Sequence, residues 1–112
     1  MLWPLEDPVI TQYFGEHFID YSRWGYPGHN GLDLWTPVSP AVVVCIAGGT
    51  VLQTGWEEDG YGKFVVVLHP GGWRSYYAHL RSVYLRPGEA IKEGTPVGRM
   101  GATGNTTGPH LH

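Results

Sequence analysis

The 112-residue sequence is poor in cysteine, in charge and in long apolar runs, and each shortage excludes a class of protein. Its single cysteine, Cys45, excludes an intramolecular disulfide. No apolar run approaches the roughly 18 residues of a transmembrane helix, so membrane insertion is not expected. Lysine and arginine number 7 against 10 aspartate and glutamate, and the net charge of −3 argues against a nucleic-acid partner.

Glycine and proline are abundant instead, at 17 and 9 residues, and they interrupt the chain too often for long helices. Short runs rich in valine, tyrosine and tryptophan predict strands at 41–46, 50–56, 63–69 and 73–80, with two more within 90–100. We therefore predict one all-β domain, an antiparallel sheet or sandwich of short strands with few or no helices. Long loops would form a groove, and residues 1–28 read as a loop-rich lead-in.

The stretch GHNGLDLWTP places His29 and Asp33 four residues apart. Gly31 and the flanking prolines disfavour a helix, and in an extended chain positions 29, 31 and 33 share one face. Because Gly31 has no side chain, a gap remains between two potential metal ligands. Taken alone, the pattern is more often a turn-adjacent strand with two exposed polar residues.

The sequence ends on His110-Leu111-His112. On a strand both imidazoles point the same way, while Leu111 turns to the core. Combined with the upstream pair, one of these two histidines completes a set of two imidazoles and one carboxylate. That set is typical of a catalytic zinc site with an open position for water.

His79, in SYYAHL, has two interpretations. It is either a hydrogen-bonded core histidine at a strand end or a catalytic group beside the metal. A zinc hydrolase also needs a proton acceptor and a group that stabilises the oxyanion. His79 and whichever of His110 and His112 is not on the metal are the candidates for these two tasks.

Six short motifs follow one another along the chain: HNGLD (29–33), Pro37, GTV (49–51), GYG (60–62), YAHL (77–80) and GATGNTTGPHLH (101–112). In this order they resemble the lysostaphin/LytM-type zinc metallopeptidases that cut peptidoglycan. The resemblance implies one Zn²⁺ ion held by His29, Asp33 and His112. It also implies that His79 and His110 are the catalytic histidines.

The loop at 101–109 has enough glycine to approach a peptide backbone closely, and together with the loop at 22–28 it is expected to wall a groove for a Gly- or Ala-rich peptide. The candidate groove residues are Tyr21, Trp24, Tyr26 and Tyr77. Either Tyr21 or Tyr26 is expected to assist in holding the oxyanion. His17 and His69 match no functional position and read as structural or surface residues.

The sequence is compatible with three functions. The first is a zinc-dependent endopeptidase acting on peptidoglycan cross-bridges or stem peptides. The second is a non-catalytic peptidoglycan-binding or regulatory module that keeps the fold. The third is a structural β-domain, for instance of a phage particle, with incidental histidines. No obligate protein partner is evident.

The two ends of the sequence lead to expectations about where the protein acts and about the extent of the domain. The start, MLWPLEDP, is acidic and is not a signal peptide, while the expected site of action is the cell envelope (periplasmic or extracellular) or a phage particle. Relatives normally continue past their H-x-H motif with an apolar residue and a further strand. We therefore expect that the domain is truncated after His112, and that a longer chain binds zinc more tightly.

Overall fold

The computed structural model describes residues 1–13, 31–104 and 108–112. Within these ranges the chain forms strands and no helix, so no described helix is available to span a membrane. The strands are β1 (Val9–Gln12), β2 (Asp33–Trp35), β3 (Val42–Val44), β4 (Gly49–Glu57), β5 (Gly62–Leu68), β6 (Arg74–Val83), β7 (Ala90–Ile91) and β8 (Pro96–Met100). The predicted all-β fold is confirmed.

The strands form two antiparallel sheets. β1 pairs with β2, and the other six strands follow the order β3-β8-β6-β5-β4-β7. The predicted hairpin joins β5 to β6, where Leu68 pairs with Arg74. Its turn uses Gly71 and Gly72 at positive φ, a conformation open to glycine. Within the predicted lead-in, 1–28, the structure describes residues 1–13, where β1 is a short strand, and residues 14–28 fall outside the described ranges.

β5 is buried on both faces, which explains why its sequence KFVVVL shows no alternation of apolar and polar residues. Val65 and Val67 belong to the main core, together with Val43, Cys45, Val51, Tyr77, Leu80, Val97 and Leu111. Phe64 and Val66 face the other way and pack with Ala78 and Tyr61 in a smaller cluster. This second face of the six-stranded sheet carries the candidate site.

His69 is a structural residue of the hairpin. Its side chain is buried, with Nδ1 2.8 Å from the Gly48 carbonyl oxygen and Nε2 2.7 Å from Ser75 Oγ. The indole of Trp73 stacks on its ring at a centroid distance of 3.8 Å. His69 therefore supports the sheet and not the site.

We expect His69→Phe to lower the free energy of unfolding by about 1–3 kcal/mol, because the Gly48 carbonyl and the Ser75 hydroxyl each lose their hydrogen bond to the imidazole. Ser75→Ala removes the hydroxyl partner of His69 Nε2 but keeps the imidazole, so it should lower the free energy of unfolding by less. Denaturant unfolding of both variants tests the ranking. A His69→Phe variant as stable as the parent would contradict this structural role.

Candidate active site

A β-bulge aims His79 at the site. Lys63 of β5 pairs with Leu80 of β6, and Val65 pairs with Tyr77. An advance of two residues along β5 therefore corresponds to three residues along β6. His79 sits in the extra segment with φ +58°, a conformation that is uncommon outside glycine. Bulges often re-aim a side chain beside an active site. Here the bulge turns His79 away from the main core and towards the two C-terminal histidines.

The segment 110–112 joins the two sheets. Leu111 exchanges two backbone hydrogen bonds of 2.8 Å with Leu34 of β2, and the His110 N–H donates to the Gly101 carbonyl at 3.0 Å. The Ala78 N–H of β6 donates to the His112 carbonyl at 2.8 Å. Leu111 is buried in the main core. As predicted, His110 and His112 share the opposite face.

The carboxylate of Asp33 lies between these two histidines. Its Oδ1 is 2.9 Å from His112 Nδ1, and its Oδ2 is 3.6 Å from His110 Nε2. The His79 ring centroid is 4.8 Å from that of His110 and 5.9 Å from that of His112. One carboxylate and three imidazoles, from three separate segments of the sequence, therefore meet on one face.

Backbone carbonyls orient two of these imidazoles. His79 Nδ1 is 2.7 Å from the Thr103 oxygen, and His110 Nδ1 is 2.9 Å from the Gly108 oxygen. A carbonyl only accepts, so Nδ1 carries the proton in each neutral ring and the lone pair is on Nε2. Burial lowers the pKa of His79 to about 4, although its bond to Thr103 partly opposes the shift. His79 is therefore neutral at pH 7.

Gly31 leaves room for the His112 imidazole. A Cβ at this position would lie 2.9 Å from His112 Cε1 and 3.0 Å from Nε2. The glycine of HNGLD therefore lies against a ring predicted to bind the metal. This contact gives a physical reason for a residue without a side chain between positions 29 and 33.

We expect Gly31→Ala to weaken zinc binding by about 10–100-fold, the range seen when a support of a metal ligand is lost. The added methyl group must displace the His112 ring, because its nearest atoms are too close for an ordinary contact. Gly108→Ala is the matched control, since a Cβ there meets nothing within 4 Å. Competition with a fluorescent zinc chelator measures both affinities, and equal values would contradict the contact.

The donor atoms of Asp33 and His112 suit one shared metal ion. Carboxylate oxygen and imidazole nitrogen are both ordinary zinc ligands. In this structure Asp33 Oδ1 and His112 Nδ1 are hydrogen-bonded at 2.9 Å, so the two predicted ligand atoms already lie side by side. In the described part of the chain, no group of three His, Cys, Asp or Glu side chains could hold a metal. The third predicted ligand, His29, lies outside it.

The prediction that Tyr77 lines the groove was wrong. Its side chain is only 2% exposed and belongs to the main core. Its hydroxyl accepts from the Ile46 N–H at 3.1 Å and from Ser75 Oγ at 2.9 Å. The bulge places it on the face opposite His79. The other three predicted groove residues, Tyr21, Trp24 and Tyr26, lie outside the described ranges, as does His17.

Two other tyrosines border the site and were not predicted to do so. The Tyr61 ring stacks on His112 at a centroid distance of 5.4 Å and lies 6.3 Å from the half-exposed Tyr76 ring. Tyr61 is the central residue of the GYG motif, so the motif was a signal that could have identified it. The position of Tyr76 could have been predicted from the alternation along β6, which places it on the same face as Ala78.

Comparisons with known proteins show what the chain is similar to. The sequence model of Peptidase family M23 matches residues 27–112. Over 97% of its length the chain is 33% identical to the peptidoglycan DD-endopeptidase ShyC of Vibrio cholerae. Over 75% of its length it is 34% identical to the glycyl-glycine endopeptidase ALE-1 of Staphylococcus capitis.

Among solved structures, a zinc-containing peptidase from Vibrio cholerae superposes with a TM-score of 0.84 and 29% identity. The superposition covers 98% of this chain and 34% of that protein. The chain spans 25% of the length of ShyC and 23% of that of ALE-1. The similarity therefore concerns one domain of larger proteins.

Proposed function

The chain belongs to peptidase family M23, and we propose that it is a zinc-dependent endopeptidase that hydrolyses peptide bonds in bacterial peptidoglycan. The observation that carries the proposal is the meeting of Asp33 with His79, His110 and His112 on one face of the sheet. Relatives named as peptidoglycan and glycyl-glycine endopeptidases support the substrate class. Its place of action would be the cell envelope, where that substrate is found.

His29, Asp33 and His112 would hold one Zn²⁺ ion. When bound, zinc supplies Lewis-acid polarisation of the scissile carbonyl and lowers the pKa of water. Two neutral imidazoles and one carboxylate leave the site a net positive charge, which favours that chemistry. The Oδ1–Nδ1 approach of Asp33 and His112 supports this assignment.

His79 and His110 would handle the proton and the oxyanion. Each has Nδ1 on a backbone carbonyl, so its Nε2 is the atom that exchanges a proton with water or the leaving amine. Because burial keeps His79 neutral at pH 7, its Nε2 can accept a proton. Once protonated, the ring can return the proton to the departing amine.

The substrate would lie across the face that carries Tyr61 and Tyr76. Tyr76 is 47% exposed and lies beside Tyr61, which contacts the predicted zinc ligand His112. Aromatic rings offer large apolar surfaces to a peptide that has small side chains. ShyC and ALE-1 are named for different bonds, so both a D-amino-acid link and a glycine bridge are substrates to test.

The alternative is a non-catalytic module that binds peptidoglycan and keeps the fold. Co-sedimentation with purified cell walls measures binding, and new amino groups released in the presence of zinc measure cleavage. Our proposal predicts both signals, with cleavage abolished by a chelator and restored by added zinc. Binding without new amino groups would favour the alternative.

A further inference from the structure

Thr103, three residues past the end of β8 in the GATG stretch, connects three parts of the site. Its carbonyl oxygen is 2.7 Å from His79 Nδ1. Its hydroxyl donates to the Leu80 carbonyl of β6 at 2.7 Å and accepts from the Lys63 N–H of β5 at 3.0 Å. One residue therefore ties the two strands of the bulge to the ring that the bulge presents.

The bulge requires such support because His79 has φ +58°. A residue other than glycine is strained in this region, and the surroundings must impose the conformation. The His79 N–H donates to the Tyr61 carbonyl at 2.7 Å, which fixes one side of the bulge. Thr103 fixes the next residue, Leu80, through its carbonyl.

Two glycines make room for Thr103. Gly62 has φ +62°, and a Cβ there would collide with the Thr103 backbone and hydroxyl. Gly104 has φ +77°, and a Cβ there would collide with Gly62 and the Gly60 carbonyl. These close backbone approaches bring the Thr103 loop against the β4–β5 turn. The Thr103 carbonyl is thus held in place from both sides.

We propose that Thr103 is a positioning residue that fixes the tautomer and direction of His79. Its hydroxyl locks the loop onto β5 and β6, and its carbonyl then accepts the Nδ1 proton, which keeps the lone pair on Nε2. This inference rests on the proposed peptidase function for its kinetic consequence. The tautomer itself is a property of the folded chain and is measurable without activity.

The test compares Thr103→Val, which removes the hydroxyl at nearly constant volume, with Thr103→Ser, which keeps it. Thr95→Val is the matched control, because the Thr95 hydroxyl also accepts a backbone N–H, from Lys92, in a turn between β7 and β8. Peptidoglycan hydrolysis gives kcat and KM, zinc content is measured by atomic emission, and ring ¹⁵N shifts report the His79 tautomer.

We expect Thr103→Val to lower kcat by about 10–100-fold with little change in KM or zinc content, and to mix the His79 tautomers. Thr103→Ser and Thr95→Val should keep the parent kcat and tautomer. A Thr103→Val variant with the parent kcat and the parent tautomer would overturn the inference.

The parent chain allows a test that does not depend on whether any variant folds. Its His79 ring must carry the proton on Nδ1 in the zinc-loaded protein, and a proton on Nε2 would overturn the inference whatever the variants do. If the parent cleaves no peptidoglycan, the proposed function fails, yet the tautomer shift in Thr103→Val still decides the role of Thr103.

Discussion

Asp33→Ala is expected to remove zinc and hydrolysis together. Asp33 is the one carboxylate among the predicted ligands, and its side chain is 11% exposed with Oδ1 2.9 Å from His112 Nδ1. Three protein ligands form a catalytic zinc site, so two imidazoles alone hold the ion poorly. The loss of activity should exceed the about 100-fold effect of losing an outer support of a ligand.

The measurements are zinc per chain by atomic emission and the rate of cell-wall hydrolysis. Asp59→Ala makes the same chemical change at an exposed turn and should alter neither. Circular dichroism verifies that each variant keeps its strands. Stoichiometric zinc retained in Asp33→Ala would remove Asp33 from the ligand set.

His79→Ala is expected to keep zinc and lose turnover. His79 matches the YAHL motif yet is surplus to the three predicted ligands, and its Nδ1 is held by the Thr103 carbonyl. Loss of one preorganised proton-transfer or oxyanion group typically costs about 10²–10⁴ in rate. The expected result is therefore a parent-like zinc content with a greatly reduced kcat.

A second variant separates the effect of losing the imidazole from any effect on the backbone at position 79. His79→Asn tolerates the positive φ better than alanine, so it should fold with the bulge intact and still lack turnover. His17→Ala, at a histidine that matches no motif, is the control. If zinc is lost with activity in both His79 variants, His79 is a ligand and the division of roles is wrong.

The sequence was sufficient to predict those features that depend on period and spacing. Alternation along a strand placed His110 and His112 on one face and Leu111 in the core, as the structure has them. The glycines of HPGG marked the β5–β6 turn. Gly31 was predicted to leave a gap, and the structure places the His112 ring against it.

Features that depend on an interruption of the two-residue alternation along a strand could not be predicted. Tyr77 and His79 are two residues apart and would share a face in a regular strand. The extra residue of the bulge puts Tyr77 in the core and His79 at the site. No residue in SYYAHL marks this, because the bulge is imposed by tertiary partners such as Tyr61 and Thr103.

Mass spectrometry of the fragments released from purified peptidoglycan tests the central claim most directly. The chain is incubated with zinc on one cell wall that has glycine cross-bridges and one that has direct D-amino-acid links, with a chelator control for each. The account predicts new peptide ends in at least one wall, absent with chelator and in the Asp33→Ala variant. Intact peptides in both walls from a folded chain that carries one zinc ion would contradict it.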